Sequence, residues 1–526
     1  MTTYLGYFID GAMQGQNIAS ALLVLLMLAA FGGVIGGRAR TIEADVFVGW
    51  GAITLVFTAA SVFLSGPLGV LSWLFFGGGI ACTALLLRRD GTVLPAGSLK
   101  VLVLLSPLLL LAGAMAPSQW DEFSHWLAAP LSLFSSGDVP SDNNPQASTV
   151  SLAAYPYGWP YLTFLASRAS GLFMDGAGRI YNIVFLALFG LLALKVTLRA
   201  AGRDAPERTS WRLAGLATFF IAVINPTFIE KIVLTAYADT GTAVVLGFTA
   251  YLLWILLDAI AEGDHARARK IAWQAAFVGA ALINIKQVNL VLFAGLVLSY
   301  LIAAWRSPQI SLGRAFRLAI GFSILPLLVY MIWRYHVAVN ISGATGSEAT
   351  LMPYEQWNTG VIGQIMLQML VVAGKKFAFF AVMAIATVFA VVAFFRTPGH
   401  YGRLAILAGG SFVSYNTFLL FTYVASFGER VALTAVSFWR YNTHLGMIAV
   451  LVIAAGGGLL WRRWDLSTRL PTMATWLPVL LVIAAPLIFA QKLRFDLEPD
   501  KLLALLDRGH GRALHEGCNP RRVVMD

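Results

Sequence analysis

Residues 99–126 read LKVLVLLSPLLLLAGAMAPSQWDEFSHW: an apolar run from Leu99 to Met115, then adjacent carboxylates Asp121 and Glu122 and a histidine, His125, between Trp120 and Trp126. A run of about 17 to 25 apolar residues crosses a bilayer as a helix, because hydrocarbon offers the backbone polar groups no other partner. Asp121 and Glu122 therefore belong at the membrane–water boundary, where desolvation makes carboxylates costly and their retention points to function. The plainer alternative is a solvated helix start, with Ser118 as cap and both acids favoured by the helix dipole.

Composition extends this reading to the whole chain. Of 526 residues 58% are hydrophobic and only 12% charged, and the mean hydropathy is +0.75. A soluble chain carries about twice that charged fraction, so this is an integral membrane protein. The net charge of +11 reads as positive-inside bias and not as a nucleic-acid surface, since no basic stripe with interleaved aromatics is present. Cys82 and Cys518 are too far apart in the inferred topology to suggest a disulfide.

The apolar runs number about fourteen, and each is expected to be a spanning helix. Three precede the opening stretch, from about Ile18, Val46 and Leu68, and so place an additional unit at 1–96. The rest make a core at 97–490, followed by a tail at 491–526 whose Leu502, Leu505 and Leu506 suggest a short surface helix. Arginine clusters at Arg38 and Arg40, Arg88 and Arg89, Arg199 to Arg212, Arg267 to Lys270, Arg306 to Arg317, Arg396 and Arg403, and Arg462 to Arg469 fall on one side by parity. That side is cytoplasmic by the positive-inside rule. Trp211, Trp254, Trp273, Trp305 and Trp461 are expected to form the aromatic belt there, and Trp120, Trp159, Trp333 and Trp439 the opposite one.

The long polar interval after Pro117 holds an interfacial turn, Leu127 to Phe134, a polar stretch from Ser135 to Thr149 expected to be mobile, and an ambiguous run, Tyr161 to Phe173, read as interfacial. Gly32 to Gly37 and Gly77 to Gly79 read as close helix packing. No internal repeat supports the inverted architecture of a secondary transporter.

Other polar groups recur at the non-cytoplasmic ends of the runs: Tyr237 and Asp239, then Lys286, which interrupts an apolar hairpin, then Arg440, Tyr441 and His444. Lys286 could instead snorkel to lipid phosphates, Arg440 could be an interfacial anchor, and His125 and His444 could be satisfied interfacial histidines.

The spacing Asp121-Glu122-x-x-His125 in the first large external loop resembles the Asp-Glu motif of protein O-mannosyltransferases, members of the GT-C superfamily of polytopic glycosyltransferases. Tyr237-Ala238-Asp239-Thr240, Asn284-Ile285-Lys286-Gln287 and Ser437-Phe438-Trp439-Arg440-Tyr441 resemble the later landmarks of bacterial relatives. The resemblance runs from about Leu99 to Leu460. It implies an all-α, polytopic membrane bundle with interfacial helices in the first external loop and a pocket on the periplasmic face of a bacterial inner membrane. The donor it implies is a sugar on a polyprenyl-phosphate carrier; the acceptor is a hydroxyl on a lipid, glycan or protein. Three extra N-terminal helices and the lack of a large external C-terminal domain depart from the family pattern.

On this resemblance Asp121 is the base and Glu122 its catalytic neighbour. His125, Tyr237, Asp239, Tyr441 and His444 line the substrate, and Lys286 and Arg440 hold the carrier phosphate. No cluster at ligand spacing calls for a metal or other cofactor. A transporter or flippase of lipid-linked glycans would use the same charges nearer mid-membrane. Polysaccharide polymerases and ligases rely more on arginine and histidine in a large loop.

Overall fold

The computed structural model describes residues 4–144, 152–203, 209–342, 351–464 and 475–497. Among these residues every regular element is helical. The helices are α1 (Ala12–Gly36), α2 (Asp45–Phe63), α3 (Leu68–Asp90), α4 (Ser98–Leu104), α5 (Ser106–Ala114), α6 (Ala128–Ser136), α7 (Pro160–Ser170), α8 (Ala177–Ala200), α9 (Trp211–Ala222) and α10 (Glu230–Val233). They continue as α11 (Asp239–Ala261), α12 (His265–Ile283), α13 (Asn289–Arg306), α14 (Leu312–Asn340), α15 (Ile362–Lys375), α16 (Phe377–Phe395), α17 (His400–Ala425), α18 (Glu429–Leu433), α19 (Phe438–Asn442), α20 (Gly446–Trp464) and α21 (Leu477–Ile488).

Ten helical segments among the described residues are long and apolar enough to cross a membrane. They are built on α1, α2, α3, α8, α11, α13, α14, α16, α17 and the continuous pair α19–α20. The other four expected spans are helical but fall short for separate reasons. Leu99 to Met115 breaks at Leu105, one residue before the Ser106-Pro107 start of α5, where proline cannot donate back into the preceding turn. Helices α9 and α21 stop after 12 residues each. Helix α12 has the length, but Arg267, Arg269 and Lys270 load its first turns with charge.

Helices α8 and α11 sit at the centre, surrounded by protein along nearly their whole apolar length, while α3 and α16 form the periphery. Helices α1 and α2 cross at backbone contact. A methyl on Gly32 would lie 1.8 Å from the Asp45 carbonyl oxygen, and one on Gly49 would lie 2.0 Å from that of Leu28. Only glycine permits that approach. Helix α2 packs in turn on α12 and α14, and α1 on α7 and α8, so the N-terminal helices are integrated with the rest. Gly77 meets nothing within 4 Å and is not a packing glycine.

Two expectations need correction. Trp50, Trp159 and Trp333 are fully buried, and Trp254 nearly so. The Trp159 indole donates to the Ala236 carbonyl, Trp333 to Ala154 and Trp254 to His400. Trp159, Trp254 and Trp333 are therefore core residues with satisfied N–H groups, not belt anchors. The second correction concerns Tyr161 to Phe173. Its helix, α7, is buried from Pro160 to Ser167 and packs against α1, α6 and α8, so it is enclosed by protein and does not lie on the outer surface of the bundle.

The sequence reading also passed over α15. Its Met366, Leu367 and Leu370 are exposed and only Ile365 is buried, the pattern of a helix lying in the interface.

Contacts sort the helix ends into two sets. Arg40 pairs with Asp45 and Asp90, Lys195 with Glu43, and Arg403 with Asp258; Arg203 lies over Trp461. These gather the arginine clusters at one end of the bundle. At the opposite end Asp496 accepts from the Ala116 N–H, and Arg494 donates to the Tyr7 carbonyl. The start of the tail thus lies at the end away from the arginine clusters. The expected surface helix at Leu502 to Leu506 and part of the stretch from Ser135 to Thr149 lie outside the described residues, as do Arg208, Arg469 and Cys518.

Candidate functional site

Four segments far apart in sequence converge at the end of the bundle away from the arginine clusters. Asp239 is the first residue of α11, where the helix dipole favours a carboxylate. Lys286 stands in the turn between α12 and α13, a turn pinned by Asn284, which donates to Thr58, and by Asn289, which donates to the Leu282 carbonyl. Arg440 lies on the five-residue α19, entered through Ala435 and Ser437 at φ 45° and 62°. Left-handed backbone at residues with a Cβ costs on the order of 1 kcal/mol each, a strain that α18 and α20 on either side must hold. Asp121 ends the irregular stretch after α5 and precedes a single π-helical turn, Glu122–Trp126.

Asp239 is the hub. Its Oδ1 lies 3.0 Å from Lys286 Nζ and 2.9 Å from His444 Nε2, and its Oδ2 lies 3.0 Å from Arg440 Nη2. The other arm of the Arg440 guanidinium reaches Asp121 Oδ2 at 2.6 Å. Arg440 also sits 4.5 Å above the Tyr237 ring, and the Tyr237 hydroxyl accepts from the Asp121 N–H at 3.3 Å. His444 Nδ1 meets the Tyr415 hydroxyl at 3.0 Å, and Lys286 lies 5.4 Å from the centre of the Trp126 ring.

Exposure divides the cluster. The side chains of Asp121 and Arg440 are 34% and 28% exposed, whereas those of Asp239 and His444 are wholly enclosed. Only the first two can meet a molecule arriving from outside without rearrangement; Asp239 holds Arg440, and His444 holds Asp239. Lys286 is nearly enclosed as well. Tyr441 is half-buried, its ring centre 6.4 Å from that of His444.

Glu122 points the other way. It is fully buried, with Oε2 accepting from the Ser118 and Gln119 N–H groups and Oε1 from Ala236 N–H, while Arg179 stands 3.8 Å away. Burial raises its pKa, opposed by Arg179 and those three backbone donors. It ties the Asp121 stretch to the loop before Asp239, which is a positioning role and not the catalytic one expected beside Asp121.

His125 is buried against Trp126 and Tyr155, and neither ring nitrogen has a hydrogen-bond partner among the described residues. Burial, aided by the charge of Lys286, lowers its pKa to about 3, so it is neutral at ordinary pH. Burial likewise raises the pKa of the Tyr237 hydroxyl, which stays protonated.

Three carboxylates, Asp121, Glu122 and Asp239, thus face three cations, Arg179, Lys286 and Arg440. No group of three or more histidine, cysteine or carboxylate side chains among the described residues is placed to hold a metal ion. Chemically, the site offers a partly exposed carboxylate beside a partly exposed guanidinium, both braced from behind. The sequence reading missed Arg179 and Tyr415. Arg179 carried a usable signal, a charge at the very start of the apolar run of α8; Tyr415, in the middle of α17, carried none. No protein-family model, no curated protein and no solved structure matches this chain.

Proposed function

We propose that this chain is a GT-C-like membrane glycosyltransferase, moving a sugar from a polyprenyl-phosphate carrier to an acceptor hydroxyl at the periplasmic face of a bacterial inner membrane. One observation carries the reading. Asp121, Asp239, Lys286 and Arg440, dispersed over more than three hundred residues of sequence, form one connected charge cluster at the helix ends opposite the arginine-rich side. A transporter or flippase would place such groups near mid-membrane at broken helices.

The carrier phosphate competes with Asp121 for the Arg440 guanidinium, a charge-assisted contact suited to either anion. Asp121, released, accepts the proton of the acceptor hydroxyl while that oxygen attacks the anomeric carbon. The bond from this carbon to the phosphate oxygen breaks, and its electron pair leaves with the polyprenyl phosphate. Arg440, with Lys286 behind it, stabilises the charge gathering on the phosphate. Asp239 acts through Arg440 and Lys286, and His444 through Asp239, as positioning residues.

Asp121→Asn keeps the shape but removes the base, so transfer by the purified protein should fall by about 10²-fold or more, with carrier binding retained. Arg440→Ala should weaken polyprenyl-phosphate binding by about 10- to 150-fold, from the roughly 1.5 to 3 kcal/mol of a charged hydrogen bond. Unchanged turnover in Asp121→Asn removes it from the mechanism, and wild-type affinity in Arg440→Ala removes the phosphate site. Mass spectrometry of lipid-linked glycans in a deletion strain identifies the sugar. Labelling by an impermeant reagent of cysteine placed at Gly137, but not at Gly202, tests the sidedness.

A further inference from the structure

We propose that the half of the bundle nearer the arginine clusters holds one acyl chain of a phospholipid in a cavity between α1, α4 and α8. The cavity measures about 220 Å³. It is walled by Leu22, Leu25 and Leu26 of α1, Val101 and Leu102 of α4, and the Val184–Leu191 stretch of α8, with Val46, Leu94 and Ser98 closing one end.

What fills it follows from its lining. Ser98 is the one polar residue in the wall, and its hydroxyl already donates to the Pro95 carbonyl at 2.8 Å. A water there would lack the two to four partners that hold buried water, and apolar cavities of about 150 Å³ stay dry and take up hydrocarbon. Left empty, the space would forfeit the dispersion contacts of a dozen side chains. The surrounding solvent is itself hydrocarbon: Leu23, Leu99 and Val103, next to the lining on α1 and α4, are exposed aliphatic residues. Leu22, Leu26, Leu94 and Leu102 are only partly buried, so the lining reaches the lipid-facing surface.

The position of the lining residues gives the chain its leaflet. Leu22 to Leu26 and Val184 to Leu191 lie midway along their helices, whereas Val46, Leu94 and Ser98 lie at the ends that meet the arginine clusters. A chain in this space therefore runs from mid-membrane to the basic end. At that end Lys100 lies 5.6 Å from the centre of the half-exposed Trp211 ring, and Arg212 stacks 5.8 Å from Trp476. Tryptophan with lysine and arginine marks headgroup depth and complements a phosphate group. A carrier whose phosphate sits at Arg440 would have to enter from the opposite end, so the occupant is a separate, resident lipid.

Native mass spectrometry of the full-length protein released from its membrane in mild detergent should show one phospholipid retained per chain. Ala187→Phe and Val101→Phe, which fill the space, should lower that occupancy at least about tenfold, while Val103→Phe on the lipid-facing side should not. A phospholipid carrying a diazirine in its acyl chain should, in the unaltered protein, label peptides containing Leu22–Leu26 and Val101–Leu102. This second measurement decides the matter if a filled variant does not fold. No retained phospholipid, retention indifferent to both fillings, diazirine label confined to other helices, or a polyprenyl lipid in the phospholipid's place would each overturn the proposal.

Discussion

The two ends of the bundle both concentrate charge, but they spend it differently. At the arginine-rich end the pairs are short-range clamps: Arg40 between Asp45 and Asp90 joins α2 to α3, Lys195 with Glu43 joins α8 to the segment entering α2, and Arg403 with Asp258 joins α17 to α11. At the opposite end one buried carboxylate, Asp239, gathers Lys286, Arg440 and His444, and a second, Asp121, is left partly open on the far arm of Arg440. Clamps pair charges where two helices happen to meet. A hub with an open arm is the arrangement expected where charge must meet something from outside.

Asp239→Asn should break this contrast most severely. It removes the shared counter-charge of two cations, and stripping one partner from a buried ionic group costs roughly 3 to 5 kcal/mol. Thermal unfolding in a membrane mimetic should show that loss, together with loss of any activity dependent on Arg440. Asp258→Asn tests the other end: it leaves Arg403 buried beside a neutral side chain, at a cost of about 1 to 3 kcal/mol, and should leave ligand binding at the Asp121 end unaltered. If Asp258→Asn abolished that binding, the two ends would not be independent.

The next effect is set by pH. Unfolded histidine takes up a proton near 6.5, whereas His125 in the fold does so only at about 3. Between these values the unfolded chain binds more protons, so acid favours unfolding. The contribution is fully present above pH 6.5 and is lost as pH falls toward 3, on the order of 1 to 2 kcal/mol by pH 5. Unfolding midpoints at pH 7 and pH 5, for the natural chain and for His125→Gln, should differ less in the variant. The smallest effect is expected where neither arrangement applies. Arg267 and Glu262 form an exposed pair, and Glu262→Gln should shift stability by less than about 1 kcal/mol; a larger shift would show a hidden role for this turn.

How much of the site was legible can be judged residue by residue. Asp121, Asp239, Lys286, Arg440 and His444 stood out because each is a polar group at the boundary of an apolar run, and that is a local property. Their division of labour was not local. Glu122 and Asp239 look like ordinary candidates in sequence, yet one turns into the core toward Arg179 and the other is sealed behind Arg440. Tyr415 gave no sign at all, since its partner His444 comes from another helix.

The same line divides the fold. The sequence alone determined the class, a multi-pass helical membrane protein, and the sorting of charge to two ends. Run length and arginine position are set by hydrocarbon thickness and desolvation, and both act on each segment by itself. Only the tertiary structure decided that Trp159 and Trp333 face the core, that α7 is internal, and that Arg440 spans Asp121 and Asp239. Those outcomes depend on which helices lie side by side, and that is fixed by close packing such as Gly32 against Asp45 and Gly49 against Leu28. Such packing joins residues that no single apolar run contains.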